Sequence, residues 1–120
     1  MIIQSRRVWI DDAFQVAQIR TENGKIQEIL SWNTEKPDVD YGENMILPGF
    51  IDAHTHGCVG IDSATADVKD MEVWQKAEAA EGVTSFMATT ATESEEDNLK
   101  TFARLAETIG KNDGAEVLGI

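Results

Sequence analysis

The sequence predicts an α/β chain with a β-rich opening, on three observations. Residues 1–47 hold short apolar runs of strand length separated by turn signals. From Phe50 onward, strand-length runs alternate with helix-length stretches. The links between them are short, so successive strands should run parallel through right-handed crossovers.

In the opening, Ile2-Ile3, Val8-Trp9-Ile10, Phe14 to Thr21 and Lys25 to Trp32 are the strand candidates, and Asp11-Asp12 marks a first turn. Asn23-Gly24 is the strongest hairpin signal, because both central positions of a type I′ turn need positive φ. With those two residues as the loop, Thr21 faces Ile26, Ile19 faces Glu28 and Ala17 faces Leu30. Residues 33–44, with Pro37 and Gly42 among acids, read as a loop. Met45-Ile46-Leu47 returns as a short strand leading into Pro48. Nothing in this opening is a catalytic candidate, and it reads as a structural segment.

The second segment, 48–120, begins with a strand from Phe50. Val59 to Ala66 is loop, and Asp67 is a plausible N-cap for a helix to about Glu81, with Gly82 just past its end. Met71, Trp74, Ala77 and Glu81 fall near one face of that helix. Val83 to Ala88 is the second strand. Ser94-Glu95-Glu96-Asp97 resembles a capping box with acids in the first turn. Leu99, Phe102, Leu105, Ala106 and Ile109 then form a helical apolar stripe ending at Gly110, and Val117-Leu118 opens a third strand.

Charge and cysteine content narrow the function classes. Ten Lys and Arg stand against 22 Asp and Glu, a net charge of −12. That argues against nucleic acid, whose phosphates need basic neutralisation, and against anionic membrane surfaces. The single cysteine, Cys58, excludes an internal disulfide and suits a reducing cytoplasm. Val8-Trp9-Ile10 is too short for a signal-peptide core, and no apolar run reaches membrane-spanning length. A soluble, cytoplasmic protein is expected.

The chemistry gathers in Leu47-Pro48-Gly49-Phe50-Ile51-Asp52-Ala53-His54-Thr55-His56-Gly57, which holds both histidines of the chain. Strand alternation places Asp52, His54 and His56 on one face. Two imidazoles so placed can bind one divalent metal ion. Pro48-Gly49 before the run and Gly57 after it set the pair at a strand's C-terminal mouth, where α/β proteins build sites. A hydrolytic metal site needs about three protein ligands and an open position for water. His54 and His56 supply two at most. Asp52 reads equally as a carboxylate orienting His54 from behind or as a turn-side acid. Cys58 reads as a ligand or as a small packed thiol, and the latter fits its residue type better. Thr89, Thr90 and Thr92 read as substrate contacts or as hydroxyls capping the next helix.

Residues 47–57 resemble the first-strand signature of the metal-dependent amidohydrolase superfamily. Gly82-Val83-Thr84-Ser85-Phe86-Met87-Ala88-Thr89-Thr90-Ala91-Thr92 resembles the second barrel strand of the N-acetylglucosamine-6-phosphate deacetylases, and the Gly-rich Gly57 to Asp62 fits them too. The resemblance runs from about Gln4 to Ile120. It implies the N-terminal part of a (β/α)8 amidohydrolase barrel, residues 48–120, preceded by a small β-sandwich segment, residues 1–47. It also implies His54 and His56 as metal ligands, and a divalent ion: zinc first, with iron, manganese, cobalt or nickel as alternatives. The implied reaction is amide hydrolysis of N-acetylglucosamine 6-phosphate, giving acetate and the amino sugar phosphate, in a homo-oligomer. In the resembled deacetylases a glutamate ligand follows the third strand, and further histidines and a catalytic aspartate come later. None of these falls within residues 1–120, so no catalytic residue is assigned here.

A complete (β/α)8 barrel takes about 250 residues, whereas this chain has 120 and finishes on the apolar run Ala115 to Ile120. The expectation is an N-terminal piece of a longer enzyme, inert alone and prone to self-association. Two other readings stay open. One is a different amidohydrolase, a cyclic amidase or deaminase. The other is a non-catalytic metal-binding module of this length.

Overall fold

Two consecutive aspartates turn the first strand back on itself. Asp11 and Asp12 hold φ of 49° and 62°, and β1 (Ile2–Ile10) pairs antiparallel with β2 (Ala13–Glu22) across them. Asn23 and Gly24, at φ 51° and 72°, do the same between β2 and β3 (Lys25–Ser31). Both turns place two residues in the left-handed region, as a type I′ hairpin requires. The computed structural model describes Met1–Ile120, which divides into two compact units, Met1–Pro48 and Gly49–Ile120.

The first unit is a five-stranded sheet ordered β3-β2-β1-β4 (β4, Val39–Asp40), with β5 (Met45–Ile46) also on β1. The expected short runs Ile2-Ile3 and Val8-Trp9-Ile10 are one strand, because a bulge between Ser5 and Val8 carries the ladder across the polar residues. Buried Ser5 sustains the bulge by accepting from the Arg7 amide at 2.9 Å and donating to the Asn44 carbonyl. The loop expected over 33–44 contains a two-residue strand, β4 (Val39–Asp40), and β5 (Met45–Ile46) follows. Both lie parallel to β1.

The β2–β3 register also departs from the simple hairpin. Thr21 faces Ile26 as expected, but a bulge then shifts the pairing by one, so Ile19 faces Ile29 and Ala17 faces Ser31. The physical gain is plain: without the shift Ile19 would oppose Glu28. With it, apolar meets apolar, and Arg20 faces Glu28 with Nη1 2.6 Å from the carboxylate. Val8, Ala17 and Ile19 form the small buried core of this unit.

The second unit alternates strand and helix: β6 (Phe50–Thr55), α1 (Val68–Ala80), β7 (Val83–Ala88), α2 (Glu95–Ala106) and β8 (Glu116–Gly119). The three strands are parallel, in the order β6-β7-β8. Asp67 caps α1 by accepting from the Lys69 and Asp70 amides, while the Asp70 carboxylate accepts from the Asp67 amide. Gly82, at φ 87°, ends it. Ser94 caps α2 by accepting from the Asp97 amide, so Thr89, Thr90 and Thr92 are not the caps.

The core of this unit is Met71 and Trp74 of α1, Phe86 and Ala88 of β7, Leu105 of α2 and Val117 of β8, with Ala66 and Ala115. The Trp74 and Phe86 ring centroids lie 5.0 Å apart.

Two expected helix faces need correction. On α1 the buried set is Met71, Trp74, Gln75 and Glu78, while Glu81 is exposed. Polar side chains reach the core because their polar ends are met: Glu78 accepts from Trp74 Nε1 at 2.9 Å, and Gln75 donates to the Lys111 and Ala115 carbonyls. On α2 only Leu105 of the apolar stripe is buried. Leu99, Phe102 and Ile109 are 60%, 42% and 46% exposed. The helix instead turns Thr101 and Leu105 inward, with Thr108 buried just past its end, a rotation held by Arg104, whose guanidinium donates to the Ala64 and Ala66 carbonyls at 2.5 and 2.6 Å. No helix is long and apolar enough to cross a membrane.

Candidate metal centre

At the end of β6 the two imidazoles converge. His54 Nε2 and His56 Nε2 lie 3.2 Å apart, with ring planes at 87°. Two nitrogens each about 2.0–2.1 Å from one tetrahedral ion lie about 3.3 Å from each other. The pair therefore already has the spacing that a shared ion demands, and the donors fit zinc or another imidazole-binding divalent metal.

The second ring nitrogen of His56 decides its tautomer. Nδ1 lies 3.1 Å from the Thr89 carbonyl. A carbonyl only accepts, so Nδ1 carries the hydrogen and Nε2 keeps its lone pair. Metal-bound histidines are commonly oriented in this way. In the metal-free chain His54 Nε2–H then donates to His56 Nε2, so His54 must move its hydrogen to Nδ1 before both nitrogens can face a metal.

β6 is irregular where it matters. Its register with β7 shifts between Asp52 and Thr55, so Asp52 pairs with buried Phe86 and Thr55 with buried Ala88. Strict alternation through Asp52, His54 and His56 is broken by that shift. Asp52 Oδ1 accepts the backbone N–H of His54 at 3.0 Å. Its carboxylate thus braces the chain at His54 through the backbone, as a turn-side acid does.

Gly57 follows at φ 134°, and a Cβ there would collide with the Ile61 carbonyl. Only glycine lets the chain turn back so tightly behind His56. That turn delivers Ser63, whose N–H donates to the His56 carbonyl at 2.9 Å and whose hydroxyl donates to the Thr89 carbonyl at 2.8 Å. Ser63 and the Thr89 carbonyl are the parts that sequence reasoning missed. The one signal was that residues 57–62 must turn, which leaves Ser63 on the strand mouth.

Cys58 lies beside α1, half-buried against the core, with Sγ 4.0 Å from the Trp74 carbonyl. Burial, then the nearby Glu78 carboxylate, push its thiol up from the ordinary value. It is a packed thiol. Among His, Cys, Asp and Glu side chains, no three come together as a metal-binding set; His54 and His56 meet as a pair.

Residues 45–119 match the amidohydrolase family. The chain is 31% identical over 109 residues to the N-acetylglucosamine-6-phosphate deacetylase of Bacillus subtilis (strain 168), an alignment covering 82% of this chain and 27% of that protein. It is 32% identical over 114 residues to the deacetylase of the same name from Vibrio furnissii, covering 92% of this chain and 28% of that one. The chain thus spans little more than a quarter of the length of these curated relatives. In three dimensions it matches the crystal structure of N-acetyl-D-glucosamine-6-phosphate deacetylase from Mycobacterium smegmatis with a TM-score of 0.88 at 19% identity, over 98% of this chain and 32% of that one. It therefore shares the fold of that part of the mycobacterial protein. With more than half its length inside the family match, the chain belongs to the amidohydrolase family.

Proposed function

We propose that the protein carrying these residues is a metal-dependent deacetylase that hydrolyses the acetamide of N-acetylglucosamine 6-phosphate. The observation that carries the reading is the 3.2 Å approach of His54 Nε2 to His56 Nε2, with His56 already oriented by the Thr89 carbonyl. The choice of substrate is supported by the names of the relatives, N-acetylglucosamine-6-phosphate deacetylases. In the same reading, residues 48–120 are the first strand–helix units of a (β/α)8 barrel, and residues 1–47 belong to a small β-sandwich.

Amidohydrolases generally bind a divalent metal. When bound, such an ion lowers the pKa of its water and polarises the scissile carbonyl. The residues of this chain do the holding. His54 and His56 present their Nε2 atoms, Asp52 braces the backbone at His54, and the Thr89 carbonyl retains the Nδ1 hydrogen of His56. Zinc suits two imidazoles best, and iron, manganese, cobalt and nickel are the alternatives. The amide-bearing partner is a phosphorylated N-acetyl amino sugar. A cytoplasmic location and a homo-oligomeric state complete the reading, the former supported by the free thiol of Cys58.

The test is acetate release from N-acetylglucosamine 6-phosphate by the natural full-length protein and by residues 1–120. The full-length protein should turn over, and His54→Ala should lower its metal content and activity together. Residues 1–120 should be inert, because two imidazoles leave an ion short of ligands. Turnover of a cyclic amide in place of the sugar phosphate would move the assignment to another amidohydrolase activity.

A further inference from the structure

Behind His56 the hydrogen bonds close into a ring. Ser63 N–H donates to the His56 carbonyl at 2.9 Å, Ser63 Oγ donates to the Thr89 carbonyl at 2.8 Å, and His56 Nδ1 donates to that same carbonyl at 3.1 Å. Thr89 lies just past the end of β7, with its amide held by the Thr55 carbonyl at 2.8 Å. Its carbonyl oxygen spends one lone pair on Ser63 and the other on His56.

We propose that Ser63 is a positioning residue for His56, holding the Thr89 carbonyl in the orientation that keeps the hydrogen on Nδ1 and leaves Nε2 bare towards His54. Satisfaction of the carbonyl alone does not call for Ser63, since the His56 ring already supplies one donor. What the second donor adds is direction: with both lone pairs engaged, the peptide plane cannot swing away from the imidazole. Ser63 is fully buried, so no water competes for its hydroxyl. It is fixed from behind as well. The Arg104 guanidinium, reaching from α2, donates to the Ser63, Ala64 and Ala66 carbonyls at 3.3, 2.5 and 2.6 Å. Asp62 Oδ1 also accepts the Ala64 amide at 2.9 Å. The loop bearing Ser63 is thereby tied to the helix. That His56 faces a metal rests on the reading above; the control of its ring by Ser63 is measurable without metal.

The experiment reads the His56 tautomer in the metal-free, ¹⁵N-labelled 120-residue chain by two-bond ¹H–¹⁵N correlation. With two histidines in the chain, a His54→Ala sample assigns the signals. The unsubstituted chain and Ser63→Thr should show the Nδ1–H form. Ser63→Ala and Ser63→Val should show a mixture of tautomers. Zinc titration of the same proteins should weaken by about tenfold to a hundredfold in the two variants without a hydroxyl, and recover in the threonine variant. Should the alanine variant unfold, the threonine and valine variants, alike in shape and differing by the hydroxyl, carry the comparison. A pure Nδ1–H tautomer in the valine or alanine variant overturns the proposal. Tautomer loss in those variants supports the role of Ser63 whether or not the 120-residue chain holds zinc; metal content of the full-length protein unchanged by His54→Ala would overturn the metal reading instead.

Discussion

Gly57 shows how one residue places a site. Its φ of 134° lets the chain reverse directly behind His56, and the Ile61 carbonyl occupies the space a side chain would need. Gly57→Ala should cost about 1–3 kcal/mol from backbone strain and collision, measured by urea unfolding of the 120-residue chain. It should also disturb the His56 ring signals, because Ser63 is delivered by that turn. Unchanged stability would show that the turn relaxes without loss. At this scale His54 and His56 were legible, since their side chains announce their chemistry. The Thr89 carbonyl was not, because every residue carries one and its use depends on where the backbone lies.

Element boundaries follow local chemistry, and α1 is the clearest case. Asp67 accepts from the Asp70 and Lys69 amides, and the Asp70 amide chiefly holds its carboxyl below the ordinary value of 3.8. A depressed folded-state pKa adds stability that is full above the unfolded value and is lost as pH falls through the lower folded value. Asp67→Ala should therefore lower the thermal midpoint at pH 7, and the gap between the two proteins should narrow as pH falls below 3.8. A gap of equal size at both pH values would mean that the charge of the cap is irrelevant. The α1 cap and the glycine beyond its end could be read in advance because capping spans three or four residues. The buried faces could not. Apolar periodicity favours Leu99, Phe102 and Ile109, yet Arg104 and the threonines turn α2 another way. That outcome needs the 63–66 loop, which lies some forty residues earlier in the chain.

The molecule as a whole carries a large exposed apolar surface. Phe50 and Ile51 of β6 are 63% and 66% exposed, and Leu99 and Phe102 of α2 are also open. Two sheets with free edges and uncovered apolar faces are association-prone. The 120-residue chain should self-associate at micromolar concentration in sedimentation velocity, and Phe102→Lys should reduce that tendency. A monodisperse monomer would contradict it. The net charge of −12 opposes association, so the effect should strengthen as salt is raised.

The sequence by itself determined the strand and helix order from Phe50 onward, the Asn23-Gly24 hairpin, the caps of α1 and α2 and the histidine pair. Each rests on residues within about four positions of one another, where sterics and hydrogen bonding act locally. Tertiary structure decided the bulge that pairs Ile19 with Ile29, the rotation of α2, the register shift that parts Asp52 from the histidine alternation, and the bracket of Ser63 and Thr89 around His56. These depend on which backbone groups from distant segments meet in space. Hydrogen bonds to carbonyls leave no mark on residue type, so the orientation of the site became visible only in the folded chain.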